Sequence, residues 1–200
     1  LTCVNKYCYL GANFSNTLNW SSQAEAAVSK GLVAVGSTKH LFQRSRCNSM
    51  EVWKKLYSSV VLATTLYGAE VWGLDQVEAV ERVQVKAFKS LLFLPLNTPD
   101  TFIRRELGLF HIKAVIFKKA LAWWNRLCRM SEDRFPRQCF TRLLVLDRAG
   151  FHWNNWVSSF RRVLDSISCA ELISLPPVPL ESAEGLIMDK LMELCIESDS

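Results

Sequence analysis

The spacing of hydrophobic residues predicts a mainly helical chain with one short extended segment near its start. Residues 6–20 contain Tyr7, Tyr9 and Phe14, which favour strands, and turn-forming residues such as Gly11 lie between them. From Ser22 onwards, apolar residues recur every three or four positions, as on the buried face of an amphipathic helix. The pattern therefore predicts a mainly α fold, a helical bundle preceded by a short β-hairpin.

Local start and stop residues place the individual helices. Residues typical of helix ends are Ser22 with Glu25, Ser49, Asp75 with Glu78, Thr98-Pro99, and Gly108. Ser22 with Glu25 and Asp75 with Glu78 have the spacing of a capping box, in which two side chains satisfy free backbone N–H groups. The predicted helices cover residues 22–35, 50–67, 76–94, 99–107, 110–130, 138–147, 153–167 and 186–196.

Prolines divide the helical part of the chain. Pro95 ends one predicted helix, and Pro176-Pro177-Val178-Pro179 forms a stiff linker before an acidic end. We therefore expect a hairpin over residues 1–20, a helical bundle over 21–95 and a second set of helices over 96–175. A Pro-rich linker and acidic tail is expected over 176–200.

Composition and charge limit the possible partners. The chain has 200 residues, half of them hydrophobic, with 11 Phe and 7 Trp, enough for a sizeable core. Residues 101–150 carry 11 basic and 4 acidic side chains, a net charge of +7. Residues 151–200 carry 3 basic and 8 acidic side chains, a net charge of −5. A cationic block of this kind attracts phosphate backbones, although it is equally compatible with solvated helix faces.

The sequence favours an intracellular protein, cytoplasmic or nuclear. Its seven cysteines are scattered, which is typical of reduced thiols, and their spacing to histidine does not suit zinc. No apolar run approaches the roughly 20 residues of a membrane span, so no membrane partner is expected. Because the chain begins with Leu1, we expect it to be part of a longer protein.

The sequence contains no recognisable catalytic pattern. It has no phosphate-binding Gly-rich loop with Lys and Ser or Thr, no Gly-x-Ser-x-Gly turn and no His-Glu-x-x-His zinc motif. We therefore expect no catalytic residue, no metal site, no cofactor and no enzymatic activity of the chain itself.

Six short motifs follow one another in a specific order. They are Tyr9-Leu10-Gly11, Leu18-Asn19-Trp20, Lys55-Leu56-Tyr57, Leu66-Tyr67-Gly68-Ala69-Glu70-Val71-Trp72, Leu94-Pro95-Leu96 and Arg105-Glu106-Leu107-Gly108. Their order and spacing resemble the C-terminal part of the reverse transcriptases of non-LTR, LINE-like retrotransposons. The resemblance covers about residues 5–130.

The resemblance implies a fragment of a polymerase without its active site. In that family a Tyr-Leu-Gly hairpin follows the catalytic palm and helps to grip the primer, and the helices after it form the thumb and a connector. Residues 21–95 would then be thumb-like and residues 96–175 connector helices. The family's metal-binding acids and Tyr-x-Asp-Asp-type motif lie upstream of the hairpin, and this sequence has neither, so it could not synthesise DNA alone.

A thumb holds a duplex by its sugar-phosphate backbone, which requires cations on helix faces. The expected partners are an RNA–DNA or DNA duplex, serving as template–primer, and the upstream palm and fingers of the parent polymerase. The candidate nucleic-acid-binding residues are Tyr9, Lys54, Lys55, Arg82, Lys86, Lys89, Lys118, Lys119, Arg126 and Arg129. For each single cation, an ordinary solvated helix face is the alternative interpretation.

Two further hypotheses remain open at this point. The chain is alternatively a helical protein-interaction module, in which residues 176–179 and Leu186–Ile196 dock on a partner helix. It is alternatively a non-functional relic of a retroelement, with a folded core and no selected activity.

Overall fold

The computed structural model describes residues 4–17, 19–174 and 176–198. It confirms the predicted fold class, which is mainly α with one two-stranded antiparallel hairpin near the start of the described chain. The strands are β1 (Lys6–Tyr9) and β2 (Ala12–Ser15). The helices are α1 (Ser21–Arg44), α2 (Met50–Leu56), α3 (Ala63–Thr65), α4 (Ala69–Trp72), α5 (Val77–Leu91), α6 (Asp100–Leu107), α7 (Ile112–Arg129), α8 (Phe135–Arg148), α9 (Trp156–Asp165) and α10 (Glu184–Ser198). A π-helical stretch, Tyr57–Leu62, joins α2 to α3.

The hairpin places its aromatic residues on one face. Leu10 and Gly11 form its two-residue turn with φ angles of +47° and +82°, as a type I′ turn requires at both central positions. Tyr7 pairs with Phe14, and Tyr9 pairs with Ala12. Because paired residues and alternate residues of a strand point to the same side, Tyr7, Tyr9 and Phe14 share one face of the hairpin.

The helix ends confirm some of the expected caps and correct others. The Ser49 side chain accepts a hydrogen bond from the Val52 backbone N–H at the start of α2, and Gly108 ends α6 with a φ of +59°. Neither predicted capping box forms, because α1 begins after Trp20 and α5 after Gln76, both without a side-chain cap. The Asp75 carboxylate, expected to cap α5, instead accepts hydrogen bonds from Ser159 and Arg162, which lie far away in the sequence.

The chain divides into two compact units whose limits differ from the expected domains. The first comprises the described part of Leu1–Gly68 together with Gln76–Ile112, and the second comprises Ala69–Asp75 and the described part of Lys113–Ser200. Residues 96–112 therefore belong with the first bundle and not with a separate set of connector helices. Residues 176–198 belong to the second unit and do not form a detached tail.

Aromatic packing explains why residues 96–112 belong to the first unit. Trp53 lies at its centre, edge to face with Phe42 at 5.4 Å and with Phe88 at 6.4 Å between ring centroids. Ile103 of α6 is buried in the same cluster. Burying α6 against α5 removes apolar surface from water, which a separate connector would leave exposed.

The second unit is built around Trp124 of α7. Its ring stacks on Phe160 at 4.8 Å, and its indole N–H donates to the Val178 carbonyl at 3.0 Å. Ile187 and Leu191 of α10 are fully buried in the same core. The acidic tail is therefore held by apolar packing and by a hydrogen bond to the backbone of the Pro-rich stretch.

Gly31 marks a close approach between α1 and α3. A methyl group at Gly31 would lie 2.3 Å from the hydroxyl oxygen of buried Thr65, which donates to the Val61 carbonyl at 2.7 Å. At Gly36, on the same helix, a methyl group would have no heavy atom within 4 Å. The two glycines therefore have different physical roles, although the sequence presents both as helix-interior glycines.

We expect Gly31→Ala and Gly36→Ala to change stability in opposite directions. Gly31→Ala overpacks the contact with Thr65 and should lower the free energy of unfolding by about 1–3 kcal/mol. Gly36→Ala removes backbone freedom from the unfolded chain and should raise the same free energy by about 0.5–1 kcal/mol. Urea denaturation followed by circular dichroism measures both changes, and equal effects of the two variants would contradict the close approach.

Candidate nucleic-acid interface

A buried carboxylate organises the charged residues of the first unit. One oxygen of Glu81 accepts a hydrogen bond from Arg104 Nη1 at 3.0 Å, and the other accepts one from the Ile112 backbone N–H at 2.8 Å. His111 Nδ1 lies 3.5 Å from the second oxygen. These contacts hold residues 104–112 against α5.

Two neutral side chains extend this buried network. The Tyr57 hydroxyl donates to the Gln84 amide oxygen at 3.4 Å, and the Gln84 amide N–H donates to the Phe110 carbonyl at 2.9 Å. Burial, together with the nearby Glu81 charge, raises the pKa of Tyr57. The phenol therefore stays neutral and serves as a hydrogen-bond donor within the fold.

Lys89 and Lys54, expected as nucleic-acid contacts, bind the protein itself. The Lys89 ammonium lies 2.6 Å from Asp100 Oδ1 and 2.9 Å from the Leu96 carbonyl, and its side chain is only 8% exposed. The half-buried Lys54 donates to the Leu107 carbonyl. Lys89 is therefore buried, whereas Arg82 and Lys86 on the same helix are exposed, because residues 96–100 fold over Lys89.

The remaining candidates of the first unit are exposed. Arg82 and Lys86 lie one turn apart on α5, and neither has an ion-pair partner among the described residues. Lys55 is exposed on α2. Tyr9 is 56% exposed, and its ring stacks on Tyr7 with 6.5 Å between centroids.

The four candidates of the second unit all lie on α7 and are exposed. Lys119 Nζ is 3.5 Å from Glu70 Oε2, and the Arg129 guanidinium is paired with Glu181. The Arg126 guanidinium lies over the Trp123 ring, 5.7 Å from its centroid. Lys118 and Arg126 have no ion-pair partner in the part of the chain that the structure describes.

The structure also brings two of the sequence motifs together. The Tyr67 hydroxyl donates to the Leu10 carbonyl at 3.3 Å, so the Tyr67-Gly68 motif contacts the turn of the Tyr-Leu-Gly hairpin. Of the Leu18-Asn19-Trp20 motif, Leu18 lies outside the described residues. Sequence reasoning missed Phe14 as the third member of the hairpin's aromatic face, which strand alternation alone could have indicated.

A Ser-His-Asp cluster in the second unit is structural, and sequence reasoning missed it. The Ser158 hydroxyl donates to Asp147 at 2.5 Å, and His152 Nδ1 lies 3.1 Å from Ser158 and 3.2 Å from Asp147. A nucleophilic triad needs serine and aspartate on opposite ring nitrogens, so that the imidazole can take the hydroxyl proton. Here both contacts involve the same nitrogen, and the hydroxyl proton is donated to the carboxylate.

The environment of Asp147 shifts its acidity. Its burial raises the pKa, but hydrogen bonds from Ser158 and from Arg161, at 2.7 Å, outweigh that effect. The pKa of Asp147 therefore lies below its ordinary value of 3.8. Since Asp147 lies on α8 and its two donors on α9, the ionised carboxylate ties these helices together.

The described residues contain neither a cluster of metal-ligating side chains nor a helix that could span a membrane. Residues 4–17, 19–174 and 176–198 contain no group of three or more His, Cys, Asp or Glu that could hold a metal ion. Over the same ranges, every helix is too short or too polar to cross a membrane. Comparison with known proteins found no matching family model, no matching curated protein and no matching solved structure.

Lys89→Met should destabilise the first unit, whereas Lys86→Met should not. Loss of the ammonium leaves Asp100 and the Leu96 carbonyl without their charged donor, which should lower the free energy of unfolding by about 2 kcal/mol. The same change at exposed Lys86 should stay within about 0.5 kcal/mol. Denaturant titrations of both variants provide the measurement, and equal stability of the two would argue against a structural role for Lys89.

Asp147→Asn should remove part of the acid sensitivity of the second unit. Because the folded pKa is lowered, the carboxylate stabilises the fold at neutral pH, and this contribution is lost as pH falls through that pKa. The variant should be less stable at pH 7 by about 2 kcal/mol and lose less stability between about pH 5 and pH 2. Thermal unfolding across this pH range tests the idea, with exposed Asp189→Asn as the matched control.

Proposed function

We propose that this chain holds an RNA–DNA or DNA duplex as the thumb and connector of a retroelement-type reverse transcriptase. The observation that carries the proposal is the pair of exposed cations, Arg82 and Lys86, on α5. The opposite side of α5 is fixed in the core by Val83, Ala87 and Phe88. A rigid helix that presents unpaired cations to solvent suits contact with a sugar-phosphate backbone.

The spacing of these two cations matches a continuous anion. Four residues of helix separate them by about 6 Å along the axis. This distance is below the Debye length of about 8 Å at physiological salt, so both cations act on the same stretch of phosphates. On this proposal, binding is independent of base sequence and weakens steeply as salt rises.

Lys118 and Arg126 are exposed cations on α7, comparable to Arg82 and Lys86 on α5. They lie two turns apart on one side of the helix, and neither is neutralised by an ion pair within the described chain. Lys119 and Arg129 contribute less on this proposal, because Glu70 and Glu181 already offset their charge. The proposal therefore rests mainly on four cations of the ten candidate residues.

The hairpin adds an aromatic surface to the cationic ones. Tyr7 is 61% exposed and stacks with the similarly exposed Tyr9, while Phe14 completes the same face. Exposed aromatic rings stack on nucleic-acid bases without regard to sequence. This surface and the ordered motifs support the resemblance to a primer-gripping hairpin, with the active site supplied by an upstream palm.

A protein-interaction module is the second candidate function, and the surface it would use differs from the one expected from the sequence. Ile187 and Leu191 of α10 are buried in the protein's own core, so this face of the helix cannot dock on a partner, whereas Leu186 and Ile196 are exposed. Phe135, Phe151 and Trp153 remain, with Trp153 88% exposed. These exposed rings favour a protein partner if nucleic acid does not bind.

Binding of the purified chain to a labelled RNA–DNA hybrid tests the proposal. Affinity should fall steeply between about 50 and 200 mM salt, and Arg82→Glu with Lys86→Glu should weaken binding and reduce the salt slope by about 2. Lys30→Glu with Arg142→Glu, an equal charge reversal at exposed positions on α1 and α8, is the control for net charge.

The other outcomes separate the hypotheses. A folded chain without affinity for the hybrid would favour the interaction module. Loss of the cooperative thermal transition would favour a relic. An unchanged salt slope in the α5 variant would show that the duplex is held elsewhere or by other forces.

A further inference from the structure

A groove in the second unit gathers three arginines, of which Arg126 is also among the cations proposed to contact the duplex. It has a volume of about 580 Å³, within the usual range for small-molecule sites. Its walls come from the last turns of α7, the turn that leads to α8, and the chain around the start of α10. The charged residues and the amide that line it are Asn125, Arg126, Arg129, Arg134, Glu181 and Glu184.

The three guanidinium groups are not equivalent. Arg129 is already paired with Glu181, and Glu184 lies in the same groove. Arg126 and Arg134 have no ion-pair partner among the described residues, and the contact with Trp123 restricts the orientation of Arg126. Two cations are therefore free to bind an anion, and a third is held by a carboxylate that an anion would have to displace.

Asn125 supplies a second, independent indication of a ligand. The residue is 5% exposed, and its side-chain oxygen accepts a hydrogen bond from the Leu180 backbone N–H at 2.7 Å. Its amide N–H₂ group makes no hydrogen bond to the described residues, although the residue lines the groove. This amide lines the groove, where a ligand oxygen could accept its hydrogen bond.

We propose that this groove binds a phosphate monoester, either that of a free nucleotide or the terminal phosphate of a nucleic-acid strand. A monoester carries nearly two negative charges at neutral pH and can pair with both unpaired guanidinium groups, against the opposing charge of Glu184. Guanidinium forks bind two phosphate oxygens at once, and the Asn125 amide can donate to the third. A backbone diester carries one charge and offers fewer free oxygens, so it fits the groove less well.

Glu181 lowers the affinity of this groove for phosphate, because its carboxylate competes with the ligand for Arg129. While the carboxylate occupies Arg129, only two guanidinium groups face the ligand. Removing the charge of Glu181 frees the third and also lowers the repulsion of an incoming dianion. The site does not depend on α5, so it stands whether or not the duplex-binding proposal holds.

Binding of AMP and adenosine to the full chain, measured by isothermal titration calorimetry, tests the site. AMP should bind and adenosine should not. Arg134→Gln should weaken AMP binding about tenfold, and Glu181→Gln should strengthen it. Arg148→Gln, an exposed arginine of α8 outside the groove, should have no effect.

A second arm distinguishes the source of the phosphate from the proposed duplex binding. RNA–DNA hybrids with a 5′-phosphate and with a 5′-hydroxyl are compared in the wild-type and Arg134→Gln chains. A preference for the phosphorylated end that Arg134→Gln abolishes assigns the site to a strand terminus, and binding of AMP alone assigns it to a free nucleotide. Equal binding of AMP and adenosine with no preference for the phosphorylated end overturns the inference. Failure of the duplex proposal appears separately, as a 5′-hydroxyl hybrid that does not bind.

Discussion

The burial of the Glu81 carboxylate is the constraint on which the first unit depends. A buried charge is tolerated only when it is paired and hydrogen-bonded, and Arg104 with the Ile112 backbone N–H meets that requirement. Because both donors come from the chain after α5, satisfying Glu81 holds that chain against the helix. The ion pair between buried Lys89 and Asp100 likewise holds the chain after α5 against that helix. The basic residues of this unit are thereby separated into those that hold the fold and those that remain exposed.

In the second unit, neutral side chains of α7 hold a distant segment of the chain in place. Trp124 donates to the Val178 carbonyl, and Asn125 accepts from the Leu180 N–H, so one helix satisfies the backbone of the Pro-rich stretch. These bonds direct the following residues along α7 and bring Glu181 to Arg129. The acidic end of the sequence is therefore part of the unit's architecture, and the arginine groove exists because of it.

Together these arrangements favour binding over catalysis as the proposed role of the chain. The Ser158, His152 and Asp147 cluster has the residue types of a nucleophilic site, yet its geometry ties two helices together. The cationic features are of two kinds, an exposed face on α5 and a groove beside α7. An extended face suits a continuous backbone, whereas a groove with a buried amide suits a single phosphate group.

The sequence by itself determined the features that depend on close neighbours along the chain. Helical periodicity, the Ser49 cap, the Gly108 end and the hairpin turn involve residues only a few positions apart, so local patterns predicted them. Only the tertiary structure decided between Lys86 and Lys89, which look alike in sequence, because the partner of Lys89 arrives 11 residues later. The tertiary structure also decided that Asp75 binds Ser159 and does not cap α5, because Ser159 lies 84 residues away in the sequence. A charged side chain binds whatever the folded chain brings near it, and local sequence does not contain that information.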